Sequence, residues 1–375
     1  MRNKDMAQTG LFPAPAKSQL SLQSLVDGIS EFHADFDETE LSSVSDKWLL
    51  ASNLQKAIRR GLSACAMSTA ARLIDVDPGY LWRRLPVIAF EDIGLANVNA
   101  CKSALAIFRR HALHDRLGPK RVAAFLANML ANARKSRALC DAIAAMEFSV
   151  DRGRSESRCF HLLEEELMDL ACSDGSVMDT VAALRHICGY REICQGSYRV
   201  AAKPRPDLMR EVIRRSQLTE TEALLFLSGQ GVAESMNIPV PMIARMVRTC
   251  PGEEHKTDIE STGKNGILHA AFDRHTRIGK RAFANLAEAN ASVARFFRIR
   301  QSVDHVAAIG AGIFVLEGSL VDRRLVFHGD RELQETFERN FLEHARIQPD
   351  HQFSFLRILR RALPDLNRIR DAEIQ

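Results

Sequence analysis

The stretch of sequence that decides the fold spans residues 54–97 and reads LQKAIRRGLSACAMSTAARLIDVDPGYLWRRLPVIAFEDIGLAN. Its apolar residues recur every three or four positions, which is the period of an amphipathic helix. Gly61, a turn at residues 77–79 and Gly94 interrupt the pattern, and glycine and proline are the residues that most often end helices. The stretch therefore predicts three short helices in succession.

The same helical period continues on both sides of this stretch. Upstream, Leu22, Leu25, Val26 and Ile29 open an amphipathic helix, and downstream helical patterns occupy most of the chain. We therefore expect an all-α fold, a multi-helix bundle or array in two helical domains behind a flexible N-terminal tail. The division we expect is a tail at 1–20, a helical domain at 21–150, a second helical region packed on it at 151–250, and a C-terminal helical domain at 260–375.

Composition narrows the classes of function. The chain has 375 residues, of which 46% are hydrophobic and 26% charged, and its formal net charge is +4. This mildly basic balance does not by itself require nucleic acid, and no stretch is apolar enough for a membrane span. The eight cysteines contain no C-x-x-C pair, which indicates a reducing compartment rather than disulfides or zinc. We expect a cytoplasmic protein with no metal, no cofactor and no membrane partner.

Several short motifs in the deciding stretch resemble one family. In chain order they are Lys56-Ala57-Ile58-Arg59, Ala71-Arg72-Leu73, Asp77-Pro78, Arg83-Arg84-Leu85 and Glu91-Asp92-Ile93-Gly94-Leu95-Ala96, followed later by Lys135-Ser136. Their order and spacing resemble the C-terminal region of the replication-associated recombination AAA+ ATPases, the RarA/MgsA family, over about residues 50–146. The resemblance implies a helical scaffold, a role in DNA replication or repair, and self-association through the helical domain.

The chain departs from that family in one decisive respect. Nucleotide hydrolysis by AAA+ enzymes needs a glycine loop ending in Gly-Lys-Ser/Thr. Here the Gly-Lys pairs are Gly263-Lys264 and Gly279-Lys280, followed by Asn265 and Arg281, without the upstream glycine. We therefore expect a relative that keeps the scaffold without the motor, and that is not an enzyme.

The acidic pair of the signature allows two interpretations. Glu91 and Asp92 follow Arg83 and Arg84 by about two helical turns, so the carboxylates can pair with arginine or cap the next helix. The alternative is a general acid/base pair. The structural interpretation is favoured, because no nucleophile or metal ligand is nearby in sequence. Arg83, Arg84, Glu91, Asp92 and Gly94 are thus predicted to form a structural signature.

The N-terminal tail contains a candidate binding peptide. Gln8-Thr9-Gly10-Leu11-Phe12 is followed by Pro13 and Pro15, and proline favours an extended chain. The pattern Gln-x-x-Leu-Phe is similar to the pentapeptide that binds the bacterial sliding clamp. In that mode the Gln8 amide fixes the register while Leu11 and Phe12 fill an apolar pocket.

A second candidate site lies near residue 275. Asp273 and His275 occur beside Arg274, Arg277, Lys280 and Arg281. Metal binding or catalysis by the Asp–His pair would need a third group that the sequence does not place nearby. The preferred interpretation is scaffold, followed by contact of the four cations with a nucleic-acid backbone, with catalysis last.

We expect a non-enzymatic accessory protein of DNA replication or repair, bound to the sliding clamp through its tail and self-associating through its helical domain. The alternatives are an enzyme or DNA-binding protein that uses the segment 273–281, and a mobile-element protein that modulates host replication. DNA remains a second expected partner.

Overall fold

The computed structural model describes residues 22–33, 39–192, 199–201, 203–228, 235–249, 252–299 and 303–373. Helices dominate this part of the chain, where the strands form three antiparallel pairs. The expected all-α class is confirmed.

The helices follow one another with short connections. The α-helices are α1 (Leu22–Glu31), α2 (Lys47–Arg59), α3 (Ser63–Val76), α4 (Pro78–Ile88), α5 (Val98–Phe108), α6 (His111–Leu117), α7 (Pro119–Asn132), α8 (Ala138–Glu147), α9 (Arg152–Cys159), α10 (Glu164–Cys172), α11 (Val177–Ile187), α12 (Pro206–Arg215), α13 (Glu220–Ser228), α14 (Val240–Thr249), α15 (Arg277–Ala289), α16 (Ala291–Arg298), α17 (His305–Ile313), α18 (Asp330–His344) and α19 (Pro349–Glu373). Short 3-10 helices cover Thr39–Leu41, Gly94–Asn97 and His269–Ala271, and π-helical turns cover Ala89–Ile93 and Phe314–Gly318.

The strands are short. They are β1 (Tyr190–Glu192), β2 (Arg199–Ala201), β3 (Glu253–Lys256), β4 (Gly263–Lys264), β5 (Ile267–Leu268) and β6 (Arg323–Val326), paired β1 with β2, β3 with β6 and β4 with β5. The β3–β6 pair joins residues about seventy positions apart, with Glu253 opposite Val326. At its side, the Lys135 amide donates to the Arg323 carbonyl at 2.8 Å and the Leu325 amide donates to the Lys135 carbonyl at 2.8 Å. This small sheet therefore ties the C-terminal region to the loop before α8.

Capping side chains fix the helix starts around the deciding stretch. The Asp46 carboxylate accepts from the Trp48 amide at 2.8 Å and begins α2, and the Asp77 carboxylate accepts from the Tyr80 amide at 2.9 Å. Such caps satisfy amides that have no partner within the helix. Pro78 is the first residue of α4, so the turn at 77–79 is the start of a helix rather than a separate connection.

Two apolar cores hold the described part together. The larger core includes Leu54, Ile58 and Leu130, and also Phe272 and Leu325 from the C-terminal part, so it combines early and late segments. The smaller core lies among α15, α16, α17, α18 and α19 and receives Ala144 and Ala145 of α8. None of the described helices is both long enough and apolar enough to span a bilayer.

Candidate functional site

One side of α2 is polar although it points into the protein. Ser52, Gln55, Lys56 and Arg59 recur at three- and four-residue spacing, so they form a single stripe, and each is buried. Arg59 is completely buried and Lys56 is 3% exposed. Buried charges are rare unless they are paired, so the partners of this stripe define the site.

Asp92 lies at the centre of the first set of partners. Its carboxylate accepts from Arg59 Nε at 2.5 Å, from Arg137 Nη1 at 3.0 Å and from Gln55 Nε2 at 2.9 Å. Asp92 is itself completely buried. Two arginines and one amide therefore share a single carboxylate in a region that excludes water, where charge-assisted hydrogen bonds are strongest.

Glu91 completes the cluster from the side of the solvent. Its Oε1 accepts from Arg59 Nη2 at 2.8 Å and lies 3.4 Å from Arg137 Nη1, while Oε2 lies 3.6 Å from Arg84 Nη2. Burial opposes ionisation of Glu91, yet the three arginines hold its pKa well below the usual range. Arg137 responds in the opposite direction, because the surrounding carboxylates raise its pKa despite burial. Glu91 therefore remains a carboxylate at neutral pH.

A π-helical turn points both acids at the same arginines. Glu91 and Asp92 lie in the turn Ala89–Ile93, which ends at Gly94 with a φ of +50°. A Cβ at Gly94 would lie 3.1 Å from the Ser136 carbonyl oxygen, and the Ser136 amide donates to the Asp92 carbonyl at 3.0 Å. Glycine is needed here both for the backbone conformation and for this close approach.

A second π-helical turn approaches Arg59 from the opposite end of the chain. Within Phe314–Gly318, the Gly318 carbonyl accepts from Arg59, and the Phe314 ring lies 5.7 Å from its guanidinium. Glu317 of the same turn accepts from the buried Arg370 at 2.6 Å. Single π-turns are concentrated at functional sites in proteins, and Arg59 lies between two of them.

Lys56 has a separate partner far away in sequence. Its Nζ lies 2.6 Å from Asp273 Oδ2, which also accepts from Ser52 Oγ at 2.7 Å. Burial lowers the pKa of Lys56 although Asp273 opposes the shift. Burial would raise the pKa of Asp273, but Lys56, His275 and these hydrogen bonds bring it down to about 2. Asp273 thus anchors the turn before α15 to α2.

The polar faces of α2 and α4 border an open cleft of about 680 Å³. Its cationic lining residues are Lys56, Arg59, Arg83 and Arg84, and its carboxylates are Glu91 and Asp273. The lining also includes the aromatic side chains of Trp48, Tyr80, Phe108 and Phe314, the imidazole of His275, and Ala51, Ser52, Gln55 and Val87. Within the described ranges no group of three or more His, Cys, Asp or Glu side chains could hold a metal ion.

The structure brings most of the predicted signature residues together, but Glu91 and Asp92 pair mainly with arginines outside that signature. Arg84 lies near Glu91 and donates to Gln55 Oε1 at 2.7 Å, whereas Arg83 is exposed at the cleft. The strongest pairs of the acids are with Arg59 and Arg137. Sequence reasoning did not identify these two arginines as partners, although the polar stripe of α2 was a signal that could have pointed to Arg59.

The four cations near residue 275 do not form one surface. The Arg274 guanidinium lies 4.8 Å from the Phe341 ring centroid in a cation–π contact, and Arg281 pairs with Glu373. Arg277 and Lys280 are exposed on α15 behind the Thr276 cap. Arg281 is exposed as well, so a backbone contact by this segment remains a prediction that rests on Arg277, Lys280 and Arg281.

Another basic surface was not singled out from the sequence as a site. Arg109, Arg110, Arg116 and Arg121 are exposed where α5, α6 and α7 meet, and no ion pair within 4 Å joins any of them to a described residue. We call these four residues the basic corner. The clamp-like residues Gln8, Leu11 and Phe12 lie outside the described residues.

Comparison with known proteins supports the family resemblance over part of the chain. Residues 64–173 match the family model for the C-terminal region of the MgsA AAA+ ATPase. The match covers α3 to α10 and includes the Glu91-Asp92 turn and Arg137, so the resemblance to the C-terminal helical domain of this family is confirmed. No curated protein and no solved structure matches the chain.

Proposed function

We propose that this protein is a non-enzymatic accessory factor of DNA replication or repair, in which a helical scaffold supports a clamp-binding tail. The observation that carries the proposal is the match of residues 64–173 to the C-terminal region of a replication-associated ATPase. The matched part is a C-terminal helical region, not a nucleotide-hydrolysing module.

The state of the signature acids supports a structural rather than a catalytic role. Asp92 accepts three hydrogen bonds from side chains, and Glu91 has a pKa held low by arginines. A general acid or base works best with a pKa near the working pH. A carboxylate whose pKa is held low between guanidinium groups, as that of Glu91 is, makes a poor proton carrier, so the function of the acidic pair is to hold α2, α8 and the π-turn in register.

The positions of the two Gly-Lys pairs in the fold also support this proposal. Gly263-Lys264 forms β4 and Gly279-Lys280 lies inside α15, and neither position resembles a glycine loop leading into a helix N-terminus. We expect no hydrolysis of ATP by the purified chain with Mg²⁺, with or without DNA. Turnover above that of a heat-inactivated sample would contradict the non-enzymatic proposal.

The tail supplies the contact with the clamp. Leu11 and Phe12 would fill an apolar pocket while the Gln8 amide fixes the register. Removing a central apolar anchor from an interface costs on the order of 2 kcal/mol. A Leu11→Ala/Phe12→Ala variant should therefore lose micromolar binding to the cognate clamp, measured by surface plasmon resonance.

The tail also offers a matched control. Gln19-Leu20-Ser21-Leu22 begins like the clamp peptide but lacks its aromatic end, because Gln23 follows. Leu20→Ala should leave clamp binding unchanged. If the double variant binds as tightly as Leu20→Ala and wild type, the tail is not the clamp ligand.

Contact with DNA is a second function that the surface charges favour. Two exposed candidates among the described residues are the basic corner and the α15 residues Arg277, Lys280 and Arg281. Each phosphate contact would contribute nearly one unit to the salt slope of duplex binding. We expect Arg110→Ala/Arg116→Ala to weaken duplex binding and flatten its salt dependence. Arg277→Ala/Lys280→Ala tests the α15 candidate in the same assay, and an unchanged slope in both variants would argue against direct DNA contact.

Self-association belongs to the proposal because the family resemblance implies it. Sedimentation velocity over a hundredfold range of concentration, an order-of-magnitude span chosen to bracket micromolar association, would detect it. A sedimentation coefficient that stays at the monomer value throughout would remove self-association from the proposed function.

A further inference from the structure

One cation at the α2–α4 cleft has no carboxylate partner among the described residues. Lys56, Arg59 and Arg84 each lie within 4 Å of a carboxylate. Arg83 is exposed at the cleft, has no ion pair within 4 Å of any described carboxylate, and lies 6.0 Å from the Tyr80 ring. The lining has four cations and two carboxylates, so the cleft favours an anion.

The mouth of the cleft also presents two aromatic rings, those of Trp48 and Tyr80. Trp48 is 52% exposed although it lines the cleft, and its ring lies 5.0 Å from that of Tyr80 in an edge arrangement. The other tryptophan, Trp82, is 6% exposed and stacks on His114 at 3.8 Å. An exposed tryptophan that lines the same cleft as an exposed arginine is well suited to stack on a flat ring that carries negative charge.

The space fits a ligand of modest size. Small-molecule sites usually measure about 300–1,000 Å³, and this cleft measures about 680 Å³. Its floor includes three buried groups that are hydrogen-bonded to carboxylates, Ser52 and Lys56 to Asp273 and Gln55 to Asp92. Groups held in fixed positions in this way are preorganised for binding, and a purely structural ion-pair network has no need of an open cavity above it.

We propose that the α2–α4 cleft binds a nucleoside phosphate, free or as the phosphorylated end of a DNA strand, with the base on Trp48 and Tyr80 and the phosphate at Arg83. The choice of a nucleotide over another aromatic anion rests on the proposed role in replication or repair. The geometry of the cleft itself does not depend on that role.

The test is a titration of the full chain alone, without clamp. Binding of dTMP should quench the fluorescence of Trp48, since Trp82 is buried and shielded, and calorimetry on the same samples gives the affinity. Inorganic phosphate and thymidine are the matched partial ligands, and each should bind at least about tenfold more weakly than dTMP. Saturable quenching by dTMP is the expected result.

Variants at exposed positions assign the binding to the cleft. Arg83→Ala and Trp48→Ala should each weaken dTMP binding by about tenfold or more, since stacking on one base contributes about 1–3 kcal/mol. Arg83→Gln, which keeps much of the side-chain stem beside Tyr80, should weaken binding similarly if charge is the cause. Arg331→Ala is the control, because Arg331 is 88% exposed on α18 and pairs only with Glu335 among described residues; its effect should stay within about twofold.

Three results would overturn the proposal. The first is no saturable binding of dTMP up to about 5 mM, which is about five times the Kd of a 1 mM site. The second is equal effects of Arg83→Ala and Arg331→Ala, and the third is binding of inorganic phosphate as tight as that of dTMP. Comparison with 5′-phosphorylated and unphosphorylated tetrathymidylate then identifies the source. Tighter binding of the phosphorylated strand assigns a strand end, and equal affinity for dTMP assigns the free nucleotide. Because no clamp is present, loss of clamp binding and failure of this titration are separate results.

Discussion

Two regions of the molecule are equally buried but are held together in different ways. Around Asp92, Arg59 and Arg137 the contacts are directional hydrogen bonds between opposite charges. Around Phe355 and Leu359 the contacts are apolar, with aromatic rings from neighbouring helices packed 4.8 to 5.9 Å apart. Apolar packing is non-directional and tolerates exchange of similar shapes, whereas each buried charge requires its own partner.

Burial alone therefore does not predict how much stability a substitution will cost. A methionine can replace a leucine in the apolar core because the volume is nearly conserved. An asparagine has nearly the shape of aspartate, yet at position 92 it would remove one of the two signature carboxylates that Arg59 and Arg137 share, with Glu91 as the remaining one. A replacement that conserves shape should therefore cost more stability in the charged cluster than in the apolar core.

The largest loss of stability is expected from substitutions at Asp92. Asp92→Ala leaves Arg59 and Arg137 buried without their shared carboxylate and should lower the free energy of unfolding by about 3–5 kcal/mol. Asp92→Asn should still cost more than about 1.5 kcal/mol, the upper range for a shape-conserving apolar swap. Urea denaturation followed by circular dichroism measures both, and a loss below about 1 kcal/mol for Asp92→Ala would show that the cluster is not a structural centre.

The next largest loss of stability is expected in the apolar core, at Leu359. Leu359 is completely buried, and Leu359→Ala should cost about 2–5 kcal/mol, depending on how far the cavity collapses. Leu359→Met should cost less than about 1.5 kcal/mol. If Leu359→Met proves as costly as Asp92→Asn, the contrast between the two regions does not hold.

Acid should weaken the link between α2 and the turn before α15. Asp273 has a pKa of about 2 in the folded protein, below the value of about 3.9 for an unfolded chain. The depressed pKa contributes stability that is present above about pH 4 and is lost as the pH falls through about 2. Asp273→Asn should be less stable at neutral pH and lose less stability between those pH values, as followed by urea unfolding at each pH. Identical acid sensitivity in variant and wild type would contradict the assignment.

The smallest loss of stability is expected at Gly94, which ends the π-helical turn that carries Glu91 and Asp92. Gly94→Ala forces alanine into a positive φ and places its Cβ 3.1 Å from the Ser136 carbonyl, which should cost about 1–3 kcal/mol. Gly118 has a φ of +86° but no heavy atom within 4 Å of the added Cβ, so Gly118→Ala reports the backbone strain alone. A larger loss of melting temperature for Gly94→Ala than for Gly118→Ala is expected, and equal losses would show that the close approach to Ser136 is unimportant.

Local features of the chain could be predicted from the sequence because their causes are local. The three- and four-residue period gave the helical class, and Thr276 at the start of α15 was recognisable as a cap. The order of short motifs from Lys56 to Ala96 pointed to the family whose C-terminal model matches residues 64–173. The periodicity of residues 319–327 does not distinguish a strand from a helix, since β6 exists only by pairing with β3.

The candidate site was decided by tertiary structure. Whether Asp92 pairs with Arg83, Arg84, Arg59 or Arg137 depends on which helices pack together, and the sequence offers all four. Lys56 and Asp273 are 217 positions apart and meet only because the turn before α15 packs on α2. Helical period and capping act within a few residues, whereas an ion pair needs two side chains brought within about 4 Å by the whole fold. For that reason the sequence determined the helices and the family resemblance of residues 64–173, and only the folded chain determined which charges face one another across the cleft.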